Sequence, residues 1–109
     1  MLYYDFEAGN KAYKLRLNTR AMVDLEKKIG CNPLSIFSDA DKLPTVSVMV
    51  TILHAALQQY QHNITISEAY DIFDAYIEDG KTLTDFVWVI LEIYKASGLI
   101  NNDISTEKN

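Results

Sequence analysis

The chain holds a single cysteine, Cys31, so no internal disulfide can staple it, and a reducing compartment suits it best. Its two prolines and four glycines mark turns and leave no long linker, and no glycines are arranged as a phosphate loop. Histidine is as scarce: His54 and His62 have no cysteine or third ligand at metal-binding spacing, which argues against a zinc site. His54, mid-helix among apolar residues, reads as a satisfied core histidine. A nucleophile pair between Cys31 and a histidine has no local support, and a lone buried cysteine is inert. Every apolar-rich stretch is interrupted by polar residues, so none reads as membrane-spanning. The start, Met1 to Asp5, lacks the basic and apolar regions of a signal peptide. A cytoplasmic protein is expected. Basic charge is also short. The net charge of −5 and a pI near 4.8 argue against nucleic-acid binding. Lys11, Lys14, Arg16 and Arg20 do cluster, but beside Asp5 and Glu7, which reads as a mixed solvated face.

What is present is a globular composition, 49% hydrophobic over 109 residues, enough for one domain. The fold class read from the pattern is α+β and mostly α: an N-terminal two-stranded β-hairpin followed by about four helices packed as a small bundle. Residues 1–100 form that single domain and 101–109 a flexible polar tail without an internal repeat. Leu2 to Glu7 and Ala12 to Leu17 both alternate apolar and polar residues around Gly9-Asn10. That pair suits a two-residue turn with glycine at the first central position. The register then sets Phe6 against Tyr13, Tyr4 against Leu15 and Leu2 against Leu17 on an apolar face. Asp5 faces Lys14 as a charge pair on the other side, and Tyr3 faces Arg16 as a cation–π pair.

Asn18 or Thr19 caps a helix running to about Ile29, stopped by Gly30. Pro33 opens a short helical segment to Phe37, and Ser38 to Pro44 is a polar loop. Thr45 to Tyr60 reads as a helix apolar almost all round, hence central. Thr65 to Glu68 has the spacing of a capping box, with Ala69, Ile72, Phe73, Tyr76 and Ile77 as the inward stripe behind it. Asp71, Asp74, Glu78 and Asp79 read as a solvated face. Gly80 ends that helix. Thr82, with Asp85 three residues on, starts a last helix from Leu83 to about Ser97 that Gly98 stops. The stretch from Asp79 to Phe86 faintly echoes a calcium loop, but Ala75, Ile77 and Phe86 would stand where oxygen ligands are required. The last helix is apolar on two sides. Phe86, Trp88, Val89 and Ile93 are therefore the candidates for an open partner-binding patch, the alternative being a helix sandwiched inside the core. No catalytic, cofactor or metal constellation emerges, so the chain reads as a non-enzymatic binding protein that needs no cofactor.

The hairpin running straight into NTRAMVDLEKKIGCNPLSIF resembles the start of the tail assembly chaperones of long-tailed (siphovirus-type) phages and prophages of Gram-positive bacteria. The matching residues are Leu25, Glu26, Gly30, Asn32, Pro33 and Leu34. The second half, with its Asp-Gly break, Thr-Leu-Thr-Asp start and final apolar helix, is similar too, so the resemblance covers nearly the whole chain. It implies a protein that binds the tape measure protein and keeps it soluble during tail-tube assembly, with the tail tube protein as a second candidate partner. It implies residence in the host cytoplasm and absence from the mature virion. Self-association is left open, and neither nucleic acid nor membrane is a partner. The family also commonly makes a longer, frameshifted form. Glu107-Lys108-Asn109 can be encoded by GAA-AAA-AAC, a slippery run in phase for a −1 slip; a gene with GAG at Glu107 or AAG at Lys108 would exclude it. The alternative function is a structural tail-completion or head–tail connector protein, which would form rings or tubes.

Overall fold

The computed structural model describes residues 2–39 and 41–101. Strands β1 (Tyr4–Ala8) and β2 (Lys11–Leu15) form an antiparallel hairpin. Helices α1 (Thr19–Ile29), α2 (Val46–Leu57), α3 (Ile66–Glu78) and α4 (Leu83–Ser97) follow, with a 3₁₀ turn, Pro33–Phe37, between α1 and α2. This is the expected architecture. Residues 102–109, including the three that carry the slippery-run reading, lie outside the described residues.

The hairpin register is the one the alternation predicts: Tyr4 pairs with Leu15, Asp5 with Lys14 and Phe6 with Tyr13. The turn differs. Gly9 and Asn10 both have positive φ, 57° and 65°, which is the type I′ geometry rather than one with glycine alone in that region. Asparagine tolerates the left-handed region, so both central residues can occupy it. The outer face also differs. Lys14 Nζ sits 4.9 Å from the centre of the Tyr3 ring, taking the cation–π role expected of Arg16. Arg16 instead donates to the carbonyls of Ala96 (2.7 Å) and Leu2 (2.9 Å). Ala96 belongs to the last turn of α4, whose carbonyls have no helical partner and favour a cation. Leu2, expected on the apolar face, is 68% exposed.

The helix ends obey local chemistry. Asn18 caps α1 by accepting from Ala21 N–H, and Gly30 closes it in the left-handed conformation. Thr65 and Glu68 form the reciprocal capping box of α3. Thr82 and Asp85 form a second one on α4, in which Asp85 Oδ2 also accepts from Thr82 N–H. Helix α2 stops at Leu57, short of the expected Tyr60. There the chain turns back, and the side chains of His54 and Gln58 both reach the carbonyl of Ile64.

Helix α2 is the central element, as its all-round apolarity predicts. It packs against α1, α3, α4 and β2, and it buries Met49, Val50, Ile52, Leu53, Ala55, Ala56 and Leu57. The other half of the core is aromatic. Phe86 of α4 meets Phe73 (centroids 5.0 Å apart), Tyr76 (5.6 Å) and Phe6 (6.1 Å), all edge-on. This cluster joins α3, α4 and the hairpin. The end of α4 is fixed to the strand–helix junction as well: Leu17 N–H donates to the buried hydroxyl of Ser97 at 2.8 Å.

Candidate partner-binding surface

Three of the four residues expected at an open patch are core residues. Phe86 and Ile93 are 0% exposed and Val89 is 6% exposed. The reason is that α4 packs against α2 on one side and β1 on another. Its two apolar stripes are both consumed by neighbours, which corrects the open-patch reading for Phe86, Val89 and Ile93. Only Trp88 remains part-exposed. It borders a shallow depression of about 310 Å³ shared with Tyr4, Tyr76, Lys81, Asp85 and Glu92. Burial, then the charges of Glu92 and Asp5, raise the Tyr4 phenol above its ordinary value. Burial, then Tyr4, push Tyr76 up to about 12. Both phenols are therefore protonated donors at neutral pH, unsuited to act as a general base.

Large apolar residues face outward at Leu2, Val23, Leu34, Leu43, Val46 and Leu83, and three more line up along one helix, α3. Ile66, Tyr70 and Ile77 are 43%, 51% and 37% exposed. At about 100° per residue these three positions fall within about 40° of one another, and they run for about 16 Å along the helix. They form a second stripe beside the buried one made by Ala69, Ile72, Phe73 and Tyr76. On their other side stand exposed Asp71, Asp74 and Glu78. The helical period places Ile77 in the inward stripe and Ile66 inside the capping box, whereas in the fold both face outward with Tyr70. The signal of this outward stripe in the sequence is the i, i+4, i+11 spacing of large apolar residues.

The residues that tempted a metal or catalytic reading have structural roles. Asp79 Oδ2 accepts from Gly9 N–H at 2.9 Å, tying the end of α3 to the hairpin turn. With the capping role of Asp85, the Asp79–Asp85 stretch is a helix stop followed by a helix start. Among the described residues, no three His, Cys, Asp or Glu side chains stand together as a metal site. Cys31 is exposed, not buried as expected. His54 is part-buried, its Nε2 3.0 Å from the Ile64 carbonyl. No helix among the described residues is long and apolar enough to cross a membrane.

The residues that carried the resemblance are likewise explained by the fold. Leu25 is fully buried, and Gly30 N–H donates to the Glu26 carbonyl at the end of α1. Asn32 caps the 3₁₀ turn by accepting from Leu34 N–H, and Pro33 opens it. The Pro33 carbonyl accepts a buried 2.8 Å hydrogen bond from the hydroxyl of Tyr94 on α4. The motif thus ends α1 and ties the 3₁₀ turn to the last helix.

These features define a small hairpin-and-helices module with an outward apolar stripe on α3 and a buried hydrogen bond tying the 3₁₀ turn to α4. The chain belongs to the Family of unknown function (DUF6096), whose profile matches residues 5–108. No curated protein and no solved structure matches it.

Proposed function

We propose that this protein is a non-enzymatic tail assembly chaperone of long-tailed phages and prophages, which binds the tape measure protein and keeps it soluble in the host cytoplasm until the tail tube forms. The observation that supports it is the α3 stripe of Ile66, Tyr70 and Ile77, apolar, exposed and bordered by carboxylates. An amphipathic helix that buries its own apolar stripe against these residues, with basic residues set over Asp71, Asp74 and Glu78, is the complementary partner. A long helical protein exposes many such stripes before assembly, and covering them is what keeps it from aggregating. The tail tube protein and a longer frameshifted form of the chain belong to the same proposal.

The test is co-expression with the product of the very long, helix-rich reading frame downstream. Co-purification, with the long protein soluble only in the presence of this chain, is the expected result. Failure to co-purify, with this chain alone assembling into rings or tubes, would favour a structural tail-completion or head–tail connector role.

A further inference from the structure

The two edges of the hairpin are treated differently. In a hairpin closed by a two-residue turn, the pair flanking the turn is hydrogen-bonded and pairs then alternate. Ala8–Lys11, Phe6–Tyr13 and Tyr4–Leu15 are therefore the bonded pairs, and Asp5–Lys14 and Glu7–Ala12 are not. At the non-bonded pairs the main-chain N–H and C=O groups point away from the partner strand. On the β2 side this edge is closed at Lys14 and Arg16. Lys14 N–H donates to Gln61 Oε1 at 2.8 Å, and Gln61 Nε2 donates back to the Lys14 carbonyl at 2.9 Å, so one side-chain amide completes a strand-like pair. Arg16 N–H is taken by the Ala56 carbonyl of α2 at 3.0 Å.

On the β1 side the outward groups of Asp5 and Glu7 meet no partner among the described residues. They front a trough of about 610 Å³ whose far wall is Tyr76, Asp79, Lys81 and Val89. Tyr4 borders this trough and also the depressions beside Trp88 and Leu2. Around them stand the carboxylates of Asp5, Glu7, Asp79 and Asp85 and the ammonium of Lys81, while the Glu92 carboxylate is paired with Lys95 at 3.5 Å.

We infer that β1 accepts an extended cationic peptide segment as a third strand of the sheet. The strand period sets the pattern of that segment. Residues opposite Tyr4 and Phe6 point to the core side and are apolar, and residues opposite Asp5 and Glu7 point to the solvent side and are Lys or Arg. The same carboxylates repel a second copy of β1, which would set Asp5 and Glu7 beside their own kind, so the acidic edge discriminates against self-pairing while remaining open to a basic strand. This surface is separate from the α3 stripe, and the inference stands whether or not that stripe binds a helix.

The probe is an eight-residue peptide of alternating Lys and Val, titrated into the full chain. A Glu–Val peptide and a Lys–Val peptide N-methylated on every second residue serve as controls. The expected result is binding of the Lys–Val peptide at least tenfold tighter than either control, and amide exchange at Asp5 and Glu7 slowed at least tenfold on saturation. Asp5→Lys with Glu7→Lys, two exposed changes, is expected to weaken binding at least tenfold while the far-ultraviolet circular dichroism stays that of the parent. Binding that survives N-methylation or the charge reversal would be adsorption to an acidic surface elsewhere and would overturn the inference. So would Asp5 and Glu7 amides already protected in the free protein, because the edge would then be covered by the chain itself or by a second copy.

Discussion

Replacing Tyr94 by Phe tests whether the Asn32-Pro33-Leu34 joint is the fold device described above. The Tyr94 ring is fully buried and edge-on to Phe37, with centroids 6.0 Å apart. Phenylalanine keeps that packing and leaves no cavity. What disappears is the 2.8 Å hydrogen bond to the Pro33 carbonyl, in a site closed to solvent. A neutral hydrogen bond contributes about 0.5–1.5 kcal/mol net, and the Pro33 carbonyl, first in the 3₁₀ turn, keeps its i→i+3 partner, so the expected loss is about 1 kcal/mol. For a domain of this size that lowers Tm by roughly 5 °C, and it lowers the urea midpoint by about 0.5 M with the slope unchanged. Urea unfolding followed by circular dichroism reads it directly. A loss under about 0.5 kcal/mol would refute the reasoning. The joint would then not depend on α4, and the motif residues would need another explanation.

Three further outcomes follow from the hairpin and the aromatic cluster. Gln61→Ala removes both bonds to Lys14 and opens the β2 edge there; it is expected to cost about 1 kcal/mol and to speed amide exchange at Lys14, and unchanged exchange there would contradict the edge assignment. Gly9→Ala places a side chain at φ +57° with its Cβ 3.1 Å from Ala75 Cβ; a loss of about 1–2 kcal/mol is expected, and a neutral or stabilising effect in urea would show that the turn has other freedom. The Tyr76 phenol, ordinarily 10.0 and held at about 12 in the folded chain, binds its proton more tightly folded than unfolded. Its contribution is therefore intact below pH 10 and lost as pH climbs towards 12. Tyr76→Phe should unfold at a higher pH than the parent in an alkaline titration, and an unshifted midpoint would refute the assignment.

The hairpin register was legible because period-two alternation on both sides of Gly9-Asn10 admits one alignment that hides Phe6 and Leu15 together. The Arg16 contact was not, because its acceptor, the Ala96 carbonyl, is 80 residues away and becomes available only when α4 ends against the hairpin. Helix starts were legible from Asn18, Thr65 and Thr82, whose side chains act within one turn. The end of α2 was not, since nothing in Gln58-Gln59-Tyr60 forbids helix; the tertiary pull of His54 and Gln58 on Ile64 decides it. The candidate patch shows the limit most sharply. Phe86, Val89 and Ile93 lie on a helix apolar on two sides, and periodicity cannot say whether a second apolar side faces solvent or a neighbour. Here the neighbours are α2 and β1. The stripe left outside is on α3, where one apolar arc is simply wider than its core can cover.

The central claim is that a partner helix docks on that stripe, and the most direct measurement compares the parent with a chain carrying Ile66→Gln, Tyr70→Gln and Ile77→Gln. Each is co-expressed with the long helical protein encoded downstream, and the amount co-purified is quantified. All three side chains are exposed, so the variant should keep the parent's circular dichroism and lie within about 1 kcal/mol of its stability, while capture falls at least tenfold. A folded variant that captures the long protein as well as the parent does, or a parent that captures none, would contradict the account.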